Sequence, residues 1–282
     1  MKKVVLLSLI LIVVGVVGSV GVGLVGFKNL GKEFEIKETL STKDIKQIFI
    51  NSEFADVMLH PSQDDQVHAH LKGNFPKSQQ PVMKATGDQG DIHISVEQKR
   101  KHSIFNFSIG FVTFKQRVLH VYIPKKMFDK VRIETDCGKI SSEQSMALKR
   151  LEMKTSYGDI FLHEFQGTEI KANTNYGDIH IERIDGSFDL ATEMGDIEID
   201  RLEAVKGNNK MHTEMGNAEV KFAKDPNPVK INLFTDLGNI ETDKGLTHEV
   251  DRAPGSQGGA SGTPTLSIHT KLGNIELEKL YQ

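Results

Sequence analysis

Seven times between Gly138 and Gly273 the chain repeats one phrase, Thr-x-x-Gly followed by Asp, Asn or Lys and then Ile or Ala. The glycines stand at 138, 158, 177, 195, 216, 238 and 273, at intervals of 20, 19, 18, 21, 22 and 35 residues. A near-constant period of this length marks units that cannot bury an apolar face alone and must stack. The expectation is an all-β solenoid in which each copy is one coil of about 20 residues.

Aligned on the glycine, the copies show which side chains face inward. Seven positions before it stand Val131, Leu151, Ile170, Phe188, Asn209, Ile231 and Leu266, and five before it Ile133, Met153, Ala172, Leu190, Met211, Leu233 and Ile268. One before come Cys137, Tyr157, Tyr176, Met194, Met215, Leu237 and Leu272; two and four after come pairs such as Ile160 and Leu162. A period of two is that of a strand, whose alternate residues point to opposite faces. In these five columns 32 of 35 positions are apolar, where the overall 38% hydrophobic content would place about 13 by chance. All five columns are therefore expected to face the core. That includes Cys137, the single cysteine, which is expected to act as a small inert hydrophobe and forms no internal disulfide.

Threonine stands three before every glycine, at 135, 155, 174, 192, 213, 235 and 270. The same parity points it inward, where its hydroxyl can bond to a neighbouring hydroxyl or to corner backbone. Glycine supplies the positive φ of a sharp corner at Gly138, Gly158, Gly177, Gly195, Gly216, Gly238 and Gly273, and the Asp or Asn that follows bonds turn backbone. Outside, Glu198, Glu219, Glu241 and Glu276 fall three after the glycine, and Glu193, Glu214 and Asp236 two before it. Stacked at strand spacing, these would repel unless solvent, lysines or a cation such as calcium relieved them.

Tyr157-Gly-Asp-Ile and Met194-Gly-Asp-Ile carry a family likeness, with Val121-Tyr-Ile-Pro124, Phe128-Asp-Lys-Val-Arg-Ile-Glu-Thr135, and Ile48-Phe-Ile-Asn-Ser52 followed by Ala55-Asp-Val57. Over roughly residues 35–282 the chain resembles the β-strand-repeat "putative adhesin" domain family, and within it the LiaG-like membrane proteins of Gram-positive bacteria. The resemblance implies a right-handed, single-stranded parallel β-helix displayed outside the cell, an association with envelope-stress gene clusters, and no catalytic residues.

The amino terminus bears on compartment. After Met1-Lys2-Lys3 come 24 uncharged residues, Val4 to Phe27, enough to cross a hydrocarbon layer of about 30 Å as one helix. The expected organisation is a short cytoplasmic end (1–3), a transmembrane anchor (4–27) and an extracytoplasmic solenoid domain (34–282). Apolar sequence running through without a small-x-small cleavage site favours an uncleaved anchor over a signal peptide. Gly15, Ser19 and Gly23 form a small-residue stripe that would suit a homodimer through the membrane helix; the alternative is that glycine is common in such helices.

Two stretches leave the repeat. Residues 97–117 set Lys99, Arg100, Lys101, Lys115 and Arg117 around a run containing Phe105, Phe107, Phe111 and Phe114. Aromatic residues between basic flanks suit a membrane surface or partner, while a hairpin capping the open end of the stack is the structural alternative. Residues 245–264, rich in Gly, Ser and Pro, read as a loop extruded from one coil.

A formal charge of −3 gives no electrostatic reason to expect nucleic acid. No nucleophile, metal-protease, P-loop, dinucleotide or paired-cysteine motif is present, so no catalytic, cofactor or metal residues are assigned. His68 and His70 share a strand face; His212 and His269 share an outward column in which Phe234 intervenes. The sequence thus points to a non-enzymatic, membrane-anchored, extracytoplasmic binding module for an unknown envelope ligand or membrane protein, linked to envelope stress by resemblance. The alternatives are a β-helix enzyme acting on glycans and a membrane sensor or modulator of an envelope-stress system.

Overall fold

A computed structural model describes residues 32–75, 79–100, 117–125, 128–226, 229–243, 246, 250–251 and 263–280. These residues are all-β, and none of their helices is long and apolar enough to cross a membrane. The expected anchor, 4–27, lies outside them. The strands are β1 (Lys32–Ser41), β2 (Gln47–Ser52), β3 (Asp56–Pro61), β4 (Gln66–Phe75), β5 (Gln79–Asp88), β6 (Asp91–Arg100) and β7 (Val118–Ile123). There follow β8 (Lys130–Cys137), β9 (Ile140–Tyr157), β10 (Ile160–Tyr176), β11 (Ile179–Met194), β12 (Ile197–Leu202), β13 (Asn208–Met215) and β14 (Ala218–Phe222). The last are β15 (Lys230–Leu237), β16 (Ile240–Thr242), β17 (Val250–Asp251), β18 (Thr265–Leu272) and β19 (Ile275–Lys279).

Each coil has a leg before the glycine and a leg after it, and like legs pair in parallel. Ile140, Ile160, Ile179, Ile197, Ala218, Ile275 and Ile240 are successive partners along the second leg. Four of the five expected inward columns are inside. Those at −7 and −5 are fully buried, and those at +2 and +4 are buried except at Ile240 and Thr242, on the last coil of the stack. Asn209, the one polar member of the −7 column, is buried because its side chain bonds backbone where the coil is irregular. It accepts from the Phe188 N–H at 3.1 Å and donates to the Lys206 and Thr265 carbonyls at 3.1 and 3.0 Å. A buried amide so satisfied avoids the penalty of an unmade bond.

The fifth column, one before the glycine, does not face the core. Tyr157, Tyr176, Met194, Met215, Leu237 and Leu272 are exposed large hydrophobics, and Cys137 is exposed as well. Strand parity ends where the chain turns, so the last side chain before the corner projects outside it. The inward reading of Cys137 is corrected with the rest of its column.

The corner is built by close approach. A Cβ on Gly177 would lie 2.2 Å from the Gly158 carbonyl oxygen, and Gly177 has φ +153°. Positive φ recurs at Gly158, Gly195, Gly216 and Gly273 but not at Gly138 or Gly238. At those two, proximity alone demands glycine: a Cβ would sit 2.5 Å from the Ala55 oxygen or 2.0 Å from that of Gly273. The threonine hydroxyls donate to these carbonyls. Thr155 reaches Gly138 at 3.1 Å, Thr174 reaches Gly158 at 2.9 Å, Thr192 reaches Gly177 at 3.0 Å and Thr213 reaches Gly195 at 3.0 Å. The residue after the glycine extends the ladder: Asp159 Oδ1 accepts from the Asp178 N–H, Asp178 from Asp196, Asp196 from Asn217 and Asn217 from Asn274.

Stacking order differs from chain order at both ends. β18 and β19 lie between β13/β14 and β15/β16, so the last coil in sequence is threaded inside the stack. The stretch 245–264 is thus part of the connection that carries the chain past the end coil, where β17 pairs with β15. Of the expected loop, residues 245, 247–249 and 252–262 lie outside the described set. At the other end β2 and β3 sit between β6/β7 and β8/β9. Antiparallel strands finish that end, β5 on β6 and β4 then β1 on β7.

Gly177→Val should lower the stability of the domain by at least ~1–3 kcal/mol through backbone strain and further through collision with Gly158. Gly87→Ala should be near neutral, because its Cβ would meet nothing closer than 3.9 Å. Paired urea melts test this, and equal midpoints for Gly177→Val and wild type would reject the corner. Thr174→Val should cost ~1 kcal/mol for the lost hydroxyl bond. Thr135→Val should cost less or stabilise, since that buried hydroxyl has no partner.

Candidate interaction surface

Among the described residues, the exposed large hydrophobic side chains all belong to the outward corner column. In spatial order it runs Cys137, Tyr157, Tyr176, Met194, Met215, Leu272 and Leu237. The six large side chains are 43–71% exposed, which amounts to roughly 600 Å² of apolar surface, the scale of patches that are often functional. At a strand spacing of ~4.8 Å they form a ridge ~24 Å long. The Tyr157 and Tyr176 rings stack with centroids 5.1 Å apart and planes 4° from parallel. The ridge arises because the corner repeats: the same glycine geometry turns out one apolar side chain per coil.

Its flanks are acidic. Asp159, Asp178 and Asp196 follow the corner glycines and are exposed. On the other side stand Glu193, also exposed, and Glu214. The next row in that column is Lys271, whose Nζ lies 2.5 Å from Glu214. The expected contact between Glu214 and Asp236 is therefore interrupted by a lysine that the threaded coil supplies.

The glutamate row three after the glycine is continuous, in the order Glu198, Glu219, Glu276, Glu241. Lys221 relieves its first half, with Nζ 2.6 Å from Glu219, 3.5 Å from Glu198 and 3.7 Å from Asp200. The Glu219 hydrogen bond, against the cost of burial, holds the ammonium well above the ordinary lysine range. Burial, then Asp200, raises the carboxyl of Glu198. Burial, then Glu278, Glu219 and Glu241, raises that of Glu276. His180, Glu198 and Asp200 bring ligand atoms within 4.8 Å of one another, but Lys221 already stands beside both carboxylates.

Histidines gather at the end of the stack made by β3, β7 and β4. His60 Nε2 and His120 Nδ1 share a hydrogen bond at 2.9 Å, and His60 stacks on Tyr122 with centroids 4.7 Å apart. His68 and His70 have centroids 6.3 Å apart, and His68 Nε2 is 2.9 Å from Asp64. Burial lowers the pKa of His60, His70 and His120, so these imidazoles are neutral at pH 7. His212 and His269 are direct neighbours with centroids 5.0 Å apart, and Phe234 lies beyond His269. The expected interruption between them is absent because the threaded coil carries His269.

Of the proposed contact residues, Lys99 is exposed on β6 and Arg100 ends that strand. Lys101, Phe105, Phe107, Phe111 and Phe114 lie outside the described residues. The Glu53 N–H bonds the Val96 carbonyl at 3.0 Å and the Asp56 N–H bonds that of Arg117 at 2.8 Å, so the described residues on either side of that stretch stand at the corner of the first coil. The corner of the second coil is Ser52-Glu-Phe-Ala55-Asp56-Val57, with the Ala55 oxygen against Gly138. Alignment on glycine alone passes over it because alanine replaces the glycine.

Comparison with known proteins places the architecture. Residues 45–233 and 168–278 match the family model described as Toastrack DUF4097. No curated protein matches the chain. A structure described as a "putative adhesin" from Bacteroides fragilis has a TM-score of 0.51 at 12% identity, covering 86% of this chain and 97% of its own. One with the same description from Parabacteroides merdae has a TM-score of 0.48 at 14% identity, covering 89% and 97%. A "putative lipid binding protein" from Parabacteroides distasonis has 0.45 at 14% identity, covering 89% and 98%. At these identities the likeness to the Bacteroides fragilis structure is one of fold alone.

The raised pKa of Glu276 carries a pH signature. A carboxyl whose folded pKa exceeds its unfolded value adds stability below the unfolded value and loses it as pH rises through the folded one. Glu276→Gln should therefore melt higher than wild type at pH 7, by a few tenths of a kcal/mol, and the increment should vanish below the ordinary glutamate pKa. Melting curves of both proteins across pH 3.5–7 check it; an increment independent of pH would remove the charge explanation.

Proposed function

The chain belongs to the Toastrack DUF4097 family, and from that premise we propose that it is a non-enzymatic binding module that presents its apolar ridge to a component of the cell envelope. The observation that carries this reading is the ridge itself. Six large apolar side chains exposed in register, one per coil, raise the free energy of the free protein unless something covers them. Regular ladders supply the rest of the corner, with aspartate oxygens engaged on backbone N–H groups rather than converging on a reacting centre.

The apolar run Val4–Phe27 anchors the domain to the membrane as a single pass, with residues 34–282 extracytoplasmic. The stripe Gly15, Ser19 and Gly23 is the surface through which anchors would pair. The likeness to LiaG-like proteins adds a place among envelope-stress functions. A rigid stack is suited to that work because it holds a line of contacts at fixed spacing without an ordering cost on binding.

Cys137 offers the test, being the single cysteine and exposed. A membrane-impermeant maleimide should label it in intact, wall-stripped cells; labelling only after lysis overturns the extracytoplasmic placement. A photo-crosslinker in place of Leu272 should yield in those cells a discrete adduct to an identified wall or membrane component. Absence of any adduct there, with one obtained instead from Phe161 off the ridge, overturns the ridge as the binding surface.

A further inference from the structure

Histidine is concentrated on three adjacent strands at the end of the stack made by β3, β7 and β4. β7 lies between the other two, parallel to β3 and antiparallel to β4. On its outer face His120 stands opposite His70 of β4, and Tyr122, two residues on, stands opposite His68 of β4 and His60 of β3. Alternation along each strand turns these side chains to one face, where all of them are half-buried. The Tyr122 ring supports two of the imidazoles: His60 stacks on it with centroids 4.7 Å apart, and His70 leans on it at 5.3 Å.

His60 Nε2 and His120 Nδ1 are 2.9 Å apart. Two nitrogens each ~2.05 Å from one ion stand ~2.9 Å apart at a right angle and ~3.3 Å apart at the tetrahedral angle. The pair is therefore held at the spacing of neighbouring ligands. One proton lies between them, and an ion that replaces it requires only that the donor ring carry its proton on its other nitrogen, since neutral imidazole offers one lone pair in either tautomer. Burial favours the neutral form of His60, His120 and His70, which is the form that binds metal. Local charge agrees. Glu143 adds a negative field at His60, and Lys37 and Lys72 both lie against Glu35, at 2.9 and 3.4 Å.

His68 is placed differently: its Nδ1 is 3.0 Å from Thr39 Oγ1 and its Nε2 2.9 Å from Asp64 Oδ1, so both nitrogens are engaged. Two other histidine groupings are less suited to an ion. The Lys221 ammonium stands beside Glu198 and Asp200, the carboxylates next to His180, and the neighbour of His269 on the side away from His212 is Phe234.

We propose that His60, His120 and His70 bind one divalent transition-metal ion of the imidazole-preferring class, represented by Zn2+, on the outer face of β3, β7 and β4. His60 and His120 supply the pair already in place. His70 turns from Tyr122 toward His120, which it faces across the strands, to make the third ligand, and water completes a tetrahedral site. The ion ties three strands together, so binding stabilises this end of the stack by mass action. The inference goes beyond the function proposed above and depends neither on the ridge nor on the compartment.

Zinc binding by the full chain in neutral detergent micelles tests it, with Cys137→Ser throughout to remove the single thiol as a competing ligand. Calorimetric titration at pH 7 should show one Zn2+ bound more tightly than any other and raise the melting temperature, while Ca2+ and Mg2+ at the same concentration do neither. His120→Ala should weaken that binding at least ~10-fold, the loss expected even for a residue that only orients a ligand, and His68→Ala should leave it unchanged. Carbethoxylation of histidines, mapped by mass spectrometry with the three ligands intact, should be slowed several-fold by one equivalent of Zn2+ at His60, His70 and His120 and not at His163. This footprint decides the matter even where a ligand variant fails to fold. Protection that omits any of the three, protection centred on His180 or His212, affinity unchanged in a folded His120→Ala, or no zinc binding would overturn the site. None of these readings touches the ridge crosslinks or the labelling of Cys137, so failure here and failure of the proposed function are told apart.

Discussion

The architecture depends on a contact with no side chain in it. At each corner the carbonyl oxygen of one coil's glycine occupies the volume where the next coil's Cβ would stand, 1.9–2.2 Å from it from Gly158 to Gly273. Because glycine alone leaves that room, the threonine three residues earlier comes within hydrogen-bond reach of the same carbonyl, and the following Asp or Asn reaches the next N–H. Two polar ladders and the turn that exposes the ridge thus share one steric cause. A bulkier corner residue would separate the coils and disengage all of them.

Much of this was legible in sequence because it repeats at fixed offsets from the glycine. The columns at −7, −5, −3, +2 and +4 were assigned to the inside, and they are buried apart from members on the terminal coil. The −1 column was misread because parity along a strand carries no information about the direction of the chain once it turns; Tyr157 and Leu237 look like core by spacing and lie outside by geometry. A further inward column, Met146, Phe165, Ile184, Leu202 and Phe222, was missed for the opposite reason. Its offset from the glycine is 7 at Phe165, Ile184 and Leu202, but register shifts between Leu162 and Glu164 and between Ile199 and Leu202 make it 8 at Met146 and 6 at Phe222, so a single fixed offset does not collect the whole column. The candidate site was legible in composition, as a run of apolar residues beside the glycines, but not in location.

Charge placement illustrates how topology overrides alignment. Read in chain order, Glu214 and Asp236 are neighbours, and so are His212 and Phe234. Read in space, Lys271 and His269 stand between them. One threaded coil converts a like-charge contact into an ion pair between Glu214 and Lys271 and brings two imidazoles together. Along the glutamate row, Lys221 is placed among three carboxylates by the same stacking. The electrostatics of the surface therefore follow the pairing of the strands rather than the order of the residues.

The threading also bears on how the domain can be made. Residues 230–242 leave the ribosome before residues 265–279, yet the native partner of β15 on the inward side is β18, and that of β16 is β19. Until the last strands arrive, the coil ending at Phe222 faces a vacant slot, and β15 and β16 have no inner neighbour to pair with. Synthesis from the amino end can therefore assemble the middle of the stack coil by coil, but β15 and β16 wait for β18 and β19. Completion waits until β18 and β19 enter between these two surfaces, and a polypeptide truncated anywhere after Phe222 and before Thr265 would keep an unpaired edge competent to accept a strand from another molecule.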